Sequence, residues 1–279
     1  MASITVGDFR ITLVCAGSYW WDGGAMFGVV PKTLWSKTQP CDELNRIEAG
    51  LNCFVIEDGS TRLLVETGIG VRHDERTLER IKMPEPPQLT ELLSAKGFAP
   101  ESFDYVINTH LHWDHVGGNT LGDEMRPAFP KAWYIVQEGE VEHARKRHPR
   151  DAVSYRPPNY EPLIEAGQMR LIEGPSEVSP GVRVQVARGH NRDMMVVQVE
   201  SKGQSWIHLA DLVQYAVQVT PTWVSGFDIY PMDGIENKTL ILSAAAAKDW
   251  WVSFGHDPKI AFAKVDVKDG KWGVRECQL

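Results

Sequence analysis

The segment Thr109–His115 constrains this chain more than any other, because it places three histidines and an aspartate within seven residues. It reads Thr-His-Leu-His-Trp-Asp-His and closely follows the apolar run Tyr105–Ile107. On an extended chain, side chains two positions apart point the same way, so His110 and His112 can reach one ion. Neutral imidazole and carboxylate are ligands that borderline divalent metals such as Zn²⁺ select. The sequence therefore predicts a metal-binding loop at the end of a strand.

The chain must turn after His112 to aim Asp114 and His115 at a neighbouring point. Two metal ions close together are the economical use of such a cluster, because a dinuclear site can hold a water between the ions. The alternative is a solvated polar loop that happens to be rich in histidine. The presence of all four side chains at this spacing disfavours that alternative.

The spacing H-x-H-x-D-H after a strand resembles the signature of the metallo-β-lactamase superfamily. Three further residues stand where this family places ligands: a histidine at a tight turn, an aspartate at the end of a later strand, and a histidine near the C-terminus (His190, Asp211 and His256). The resemblance implies seven metal ligands, divided between a first ion (His110, His112, His190), a second ion (Asp114, His115, His256) and a bridge (Asp211).

Predicted strands and helices alternate along the chain, which by itself supports an α/β or α+β protein. The predicted strands cover residues 9–14, 51–56, 62–65, 104–108, 132–136, 182–188, 194–200, 204–210 and a pair near 260–274. The predicted helices cover residues 89–97, 138–147 and 233–251, the last opened by a capping box from Asp233 to Glu236. The resemblance implies an αββα sandwich, two mixed sheets flanked by helices, and we expect one domain over residues 1–279.

Charge and composition narrow the classes of partner. The chain carries 29 Lys and Arg against 37 Asp and Glu, for a net charge of −8, which opposes nucleic-acid binding. The basic residues at 145–147 follow three glutamates (Glu138, Glu140 and Glu142), and this stretch is typical of a solvated helix face. No run approaches the roughly 18 apolar residues of a membrane span. The four cysteines form no C-x-x-C pair, and the N-terminus does not resemble a signal peptide, so we expect a cytoplasmic protein.

An aspartate at position 211 makes the chain similar to the glyoxalase II, lactonase and organophosphate-hydrolase branches of the family. Two divalent ions, Zn²⁺ first with Mn²⁺ or Fe²⁺ as alternatives, would supply a metal-bridging hydroxide as nucleophile. We therefore expect a hydrolase of a small ester-type substrate, a lactone first. The resemblance implies that Asp114 carries a proton to the leaving group and that Tyr215 donates a hydrogen bond to a carbonyl oxygen.

Several alternatives stay open at this point. A glyoxalase II-like thioesterase and a phosphotriesterase use the same kind of site, and a metal-containing sensor would bind a ligand without turnover. The aromatic, glycine-rich segment 18–32 is typical of a loop at the mouth of a site, which favours an apolar or uncharged substrate. The sequence leaves monomer and homodimer open.

Two further residues bear on the predicted metal site, one as a departure from the family sequence and one as a histidine that we do not expect to bind metal. Glu66 stands in a Glu-Thr-Gly sequence where the family usually has Asp-Thr-Gly, which puts the packing behind the metal loop in doubt. His208 alternates with Asp211 along a predicted strand, so we expect it to point away from the metals.

Overall fold

The computed structural model describes residues 2–278 of the chain. Its strands are, in chain order, β1 (Ser3–Val6), β2 (Phe9–Asp22), β3 (Arg46–Glu57), β4 (Arg62–Val65), β5 (Tyr105–Ile107), β6 (Thr120–Leu121), β7 (Arg126–Pro127), β8 (Trp133–Gln137), β9 (Met169–Ile172), β10 (Ser176–Ser179), β11 (Val182–Val186), β12 (Met195–Ser201), β13 (Gln204–His208), β14 (Trp251–Ser253), β15 (Phe262–Lys268) and β16 (Lys271–Gln278). Its α-helices are α1 (Gly23–Phe27), α2 (Lys32–Trp35), α3 (Glu75–Arg80), α4 (Leu89–Ala95), α5 (Trp113–Val116), α6 (Glu138–Lys146), α7 (Glu161–Glu165) and α8 (Pro231–Ala247). Within the described range, no helix is both long and apolar enough to cross a membrane.

The strands form two large mixed sheets. The first has the order β1-β2-β3-β4-β5-β8-β9 and the second runs from β10 to β16 in sequence order, while β6 and β7 form a small separate pair. Strands β4, β5, β8 and β9 pair in parallel, as do β13 and β14, and the remaining neighbours are antiparallel. Parallel neighbours point their carboxyl ends to the same edge of a sheet, where loops can bring polar side chains together.

The two sheets pack face to face through apolar side chains that alternate along each strand. In β4, Leu63 and Val65 lie in the core shared with Val197 and Trp206 of the second sheet. The intervening Leu64 points the other way, into a core that includes side chains of α4 and α6. This two-residue period is what a strand buried on both faces requires.

Helix α8 covers the outer face of the second sheet. Its Ile241, Leu242 and Ala245 pack with Ile207 of β13 and Val252 of β14. Helices therefore lie outside both sheets, and the predicted αββα sandwich is confirmed.

The prediction for helix α8 was wrong at both ends. The helix begins at Pro231, whose fixed φ suits the first helical turn, and the residue before it, Tyr230, makes no side-chain cap. The side chain of Asp233 lies 3.4 Å from the guanidinium of Arg188, so the predicted capping box does not form. The helix ends at Ala247 because Trp251 already belongs to β14, which pairs with β13.

The aromatic segment 18–32 is only partly a loop. Residues 18–22 continue β2 and pair with β3, after a register shift between Cys15 and Ser18. Helix α1 starts directly after the strand, with Asp22 accepting a hydrogen bond from the backbone of Ala25. The strand thus carries the rings of Tyr19 and Trp21 toward the metal loop, while Trp20 lies on the opposite face beside Lys82.

Candidate metal centre

The predicted ligands follow strand ends that meet across the two sheets. The first ligand of the metal loop, His110, comes three residues after β5 in the first sheet. Asp211 lies in a short 3₁₀ turn after β13, and His256 comes three residues after β14. His190 lies in the turn between β11 and β12. The fold thus brings together side chains that are separated by up to half of the chain.

His110, His112 and His190 form the first group. Each offers one nitrogen, and the three nitrogens lie within 4.8 Å of one another. The Nδ1 of His112 lies 3.0 Å from the Nε2 of His190. The Nε2 atom of His110 is buried and has no hydrogen-bond partner among the described residues. Buried polar atoms are rarely left without a partner, and converging imidazole nitrogens of this kind are the donor set that a divalent metal fits.

Asp114, His115 and His256 form the second group, again with one ligand atom each within 4.8 Å. The Nε2 atoms of His115 and His256 are 3.2 Å apart. The Oδ2 of Asp114 lies 3.9 Å from the first of these nitrogens and 3.7 Å from the second.

Asp211 faces both groups at once. Its Oδ2 lies 3.3 Å from the Nε2 of His190. Its Oδ1 lies 3.3 Å from the Nε2 of His115 and 3.2 Å from that of His256. One carboxylate thus turns a different oxygen to each group, an arrangement in which it can bridge two ions. The structure brings all seven predicted ligands together, and their role as ligands stays a prediction.

The electrostatics of the centre also suit a cation. Burial, reinforced by neighbouring histidines, holds the pKa of both His110 and His112 well below its usual range, so these imidazoles keep a free electron pair. Burial alone would raise the pKa of Asp211, but the histidines at 115, 256 and 190 outweigh it and hold the pKa well below its usual range. Asp211 in turn outweighs burial at these three histidines and raises the pKa of His115, His190 and His256. Metal binding would displace their protons and leave neutral imidazoles around an ionised carboxylate.

Two carboxylates and one backbone carbonyl contact the Nδ1 atoms of three predicted histidine ligands. The Oδ1 of Asp228 lies 3.1 Å from the Nδ1 of His190, and the carbonyl oxygen of Gly50 lies 2.9 Å from the Nδ1 of His256. Glu66 lies 3.4 Å from the Nδ1 of His115 and also accepts a hydrogen bond from a threonine hydroxyl of the metal loop. Such contacts fix the tautomer and direction of a ligating imidazole. The sequence analysis missed Asp228, which has no motif around it.

Glu66 keeps its carboxylate at the metal loop despite the extra methylene. The residue is buried and has a φ of 65°, in the left-handed region that side chains with a Cβ seldom adopt. It forms a third group with His110 and His115, in which one atom of each lies within 4.8 Å of the others. The two main groups of predicted ligands are complete with Glu at this position.

The tyrosine nearest to the predicted ligands is Tyr19, which the sequence analysis did not single out. Its hydroxyl donates a hydrogen bond to the Oδ2 of Asp114 at 2.7 Å, and its ring packs edge-on against His256. The hydroxyl of Tyr215 instead donates to the backbone carbonyl of Glu48 at 3.1 Å. The predicted catalytic role of Tyr215 stays untested, and in this conformation its hydroxyl is already engaged.

Asp114 marks the open side of the centre. It is half-buried, with 13% of its side chain exposed, whereas the other six predicted ligands are buried. The rings of Tyr19 and Trp21 lie 5.7 and 6.1 Å from the ring of Trp113, which stands next to Asp114 in the metal loop. The approach to the centre is therefore lined by aromatic side chains.

His208 lies outside all three groups. Its Nδ1 is 3.0 Å from the Ser253 hydroxyl and its ring packs against Phe54, while burial lowers its pKa to about 3.

We expect His208→Ala to keep both metal ions and hydrolysis and to lose stability by about 1–3 kcal/mol. His110→Ala should instead lose a metal ion. Elemental analysis and denaturant unfolding of the two variants check this, and a folded His208→Ala protein lacking metal would contradict it.

The prediction that residues 138–147 form a solvated helix face is wrong at Glu140. Glu138 and Glu142 are exposed, but Glu140 is fully buried on the inner side of α6. Burial raises the pKa of its carboxyl to about 7. A single glutamate of a charged helix can face inward because side chains one turn apart share a face while their immediate neighbours do not.

The raised pKa of Glu140 predicts a pH-dependent stability. A carboxyl that holds its proton more tightly in the folded state favours folding at low pH, and this advantage is lost as the pH rises from the unfolded value of 4.5 through about 7. The free energy of unfolding of Glu140→Gln, relative to that of the parent protein, should therefore rise by about 3 kcal/mol when the pH is raised from 4.5 to 8. Denaturant unfolding with a chelator at both pH values checks this, and a difference independent of pH would contradict it.

The family model of the metallo-beta-lactamase superfamily matches residues 48–256, which include all seven predicted ligands. The chain belongs to this superfamily. An N-acyl homoserine lactonase of Bacillus cereus is 28% identical to the chain over 223 residues, which cover 74% of this chain and 80% of the relative.

Solved structures agree with this assignment. A probable metal-dependent hydrolase of Staphylococcus aureus superposes with a TM-score of 0.90 and 29% identity, covering 99% of this chain and 100% of that one. The dizinc quorum-quenching lactonase AidC superposes with a TM-score of 0.82 over 100% of this chain and 97% of that one, and at 17% identity this likeness concerns the fold alone. The predictions of the family, the fold and a metal-dependent hydrolase are confirmed.

Proposed function

We propose that this protein hydrolyses a small lactone at a dinuclear metal centre. The observation that carries the proposal is the position of Asp211, whose two oxygens face two separate groups of ligands. The N-acyl homoserine lactonase relatives support a lactone as substrate. We also propose that residues 1–279 form one metallo-β-lactamase-like domain, because one core joins the two sheets.

The seven predicted ligands would hold the two ions in the groups described above. We propose Zn²⁺ in both positions, because histidine and carboxylate ligands suit zinc. Mn²⁺ and Fe²⁺ are the alternatives. When bound, two divalent ions would activate water near neutral pH and polarise the substrate carbonyl.

The protein's own side chains supply orientation and proton transfer. Asp114 lies on the open side, where a carboxylate can carry a proton to the leaving alkoxide of an opened ring. The Tyr19 hydroxyl holds the Oδ2 of this carboxylate in place at 2.7 Å. Asp228 keeps His190 turned toward the centre through its Nδ1. These contacts fix the geometry before the substrate arrives, so little reorganisation is needed during the reaction.

The aromatic approach favours an apolar or uncharged substrate. Trp21 and Trp113 are half-buried, so their rings are available to contact the part of a substrate that does not react. Aromatic side chains provide a large apolar contact area in such a position. An acyl or alkyl substituent on a lactone would fit this chemistry.

A hydrolysis panel tests the proposal. The protein is loaded with Zn²⁺ and assayed on lactones, aryl esters, thioesters and phosphotriesters, with and without a chelator. We expect kcat/KM to be highest for a lactone, activity to disappear with the chelator, and activity to return when Zn²⁺ is restored. A thioester or phosphotriester that leads the panel would contradict the lactone assignment. Binding of a lactone without turnover would make the protein a sensor. Light scattering of the same sample decides between monomer and homodimer.

A further inference from the structure

The carboxylate of Glu140 joins three separate segments of the chain. Its Oε1 accepts a hydrogen bond from the backbone N–H of Leu111 at 2.9 Å, from the Asn191 side-chain amide at 3.0 Å, and from the Tyr155 hydroxyl at 3.1 Å. All four residues are buried. Hydrogen bonds to a buried acceptor are strong because water does not compete for them.

Each of these segments carries or contacts a histidine of the first group. Leu111 stands between His110 and His112, and Asn191 directly follows His190. The ring of Tyr155 packs edge-on against His112 at 4.8 Å, and the backbones of these two residues form a β-bridge. None of the three hydrogen-bond donors to Glu140 adjoins a histidine or aspartate of the second group in sequence.

Asn191 extends the connection into the turn that presents His190. Its side-chain amide donates to Glu140, and its side-chain oxygen accepts a hydrogen bond from the backbone N–H of Met194 at 2.7 Å. The turn is thus closed on one side by its own backbone and held on the other by Glu140. A rotation of this turn would move His190 away from His112.

We propose that Glu140 is a positioning residue that sets the affinity of the first metal site, through Leu111 and Asn191, and leaves the second site unaffected. This inference rests on the dinuclear centre proposed above. It assigns Glu140 no contact with substrate. The carboxylate acts only as an acceptor, because all three partners donate to the same oxygen.

An acceptor role distinguishes the conservative variant from the disruptive one. Glu140→Gln keeps an oxygen for the three donors, whereas Glu140→Ala leaves these donors without their partner. Loss of an outer partner of a ligating histidine typically lowers metal affinity by about 10–100-fold. We therefore expect the Ala variant to lose affinity at the first site by this factor, and the Gln variant to stay within about threefold of the parent.

Two single-site backgrounds separate the two ions. His256→Ala removes a ligand of the second group, and His190→Ala removes one of the first. In each background, Zn²⁺ affinity is measured by competition with a chromophoric chelator, and Co²⁺ absorption spectra report the ligand geometry without any substrate. Glu140→Ala should weaken the ion that remains in the His256→Ala background and leave the ion in the His190→Ala background unchanged. Glu138→Gln, an exposed change on the same helix, serves as the control.

Several outcomes of these metal-affinity measurements would overturn the proposed role of Glu140. Equal losses in both backgrounds, or no loss in either, would overturn the positioning role. Equal losses in Glu140→Gln and Glu140→Ala would also overturn it, since they would point to the charge rather than to the acceptor. If the Ala variant does not fold, Asn191→Ala removes the amide that donates to Glu140, together with the oxygen that accepts from Met194, and must give the same site-selective loss. A parent protein that binds two ions but hydrolyses nothing would overturn the proposed function and leave this inference standing. A parent that cannot bind two ions would overturn both.

Discussion

Replacing Asp211 with Ala is expected to weaken both metal ions together and to abolish most hydrolysis. The reason is that its two oxygens face different groups, 3.3 Å from the Nε2 of His190 on one side and 3.2 Å from the Nε2 of His256 on the other. Loss of a ligand shared by both ions should exceed the 10–100-fold effect on affinity that is typical when an outer partner is lost. Elemental analysis after dialysis and a chelator competition measure the change.

The matched control for this variant is Asp123→Ala, because Asp123 is exposed in the turn between β6 and β7. It should bind two ions with unchanged affinity. Retention of two tightly bound ions by Asp211→Ala would remove Asp211 from the centre and leave two unconnected sites.

Replacing Asp114 with Asn is expected to lower kcat by about 10²–10⁴-fold, the usual contribution of a positioned acid or base. The amide nearly keeps the shape of the carboxylate, so the hydrogen bond from Tyr19 can persist. The amide cannot carry a proton to a leaving alkoxide, and it is a weaker metal ligand. Steady-state kinetics on the best lactone of the panel, with metal content measured in parallel, separates these two effects.

Trp21→Ala is the comparison for Asp114→Asn, since Trp21 lies at the aromatic approach and outside both ligand groups. A side chain that contacts the substrate equally in the ground state and the transition state should change KM more than kcat. If the Trp21 variant lost kcat as severely as the Asp114 variant at full metal occupancy, Asp114 would have no special part in proton transfer.

The sequence was sufficient to predict the fold and to choose the side chains that meet. The motif from His110 to His115 determined the family, and the spacing of later ligands along strands followed the order that this family uses. The short β-rich run at residues 62–65 predicted β4, and the structure shows that both faces of this strand are buried. These features are visible because ligand chemistry and strand periodicity both act over a few neighbouring residues.

The parts that the sequence could not predict depend on distant contacts. Tyr19 reaches Asp114 because β2 continues past a register shift at Cys15, which no local pattern indicates. In sequence, nothing distinguishes Glu140 from the exposed Glu138 and Glu142. It is buried because the metal loop and the turn that carries His190 pack beside α6. Each of these residues supports the site from outside the motif.

Crystallography with anomalous scattering at the zinc absorption edge tests the central claim most directly. The account predicts two peaks in a crystal of the Zn²⁺-loaded protein, one among His110, His112 and His190 and one among Asp114, His115 and His256. Each peak should lie about 2.0–2.2 Å from a different oxygen of Asp211, the usual distance between zinc and a carboxylate oxygen. A single peak, or two peaks of which only one contacts Asp211, would contradict the dinuclear centre.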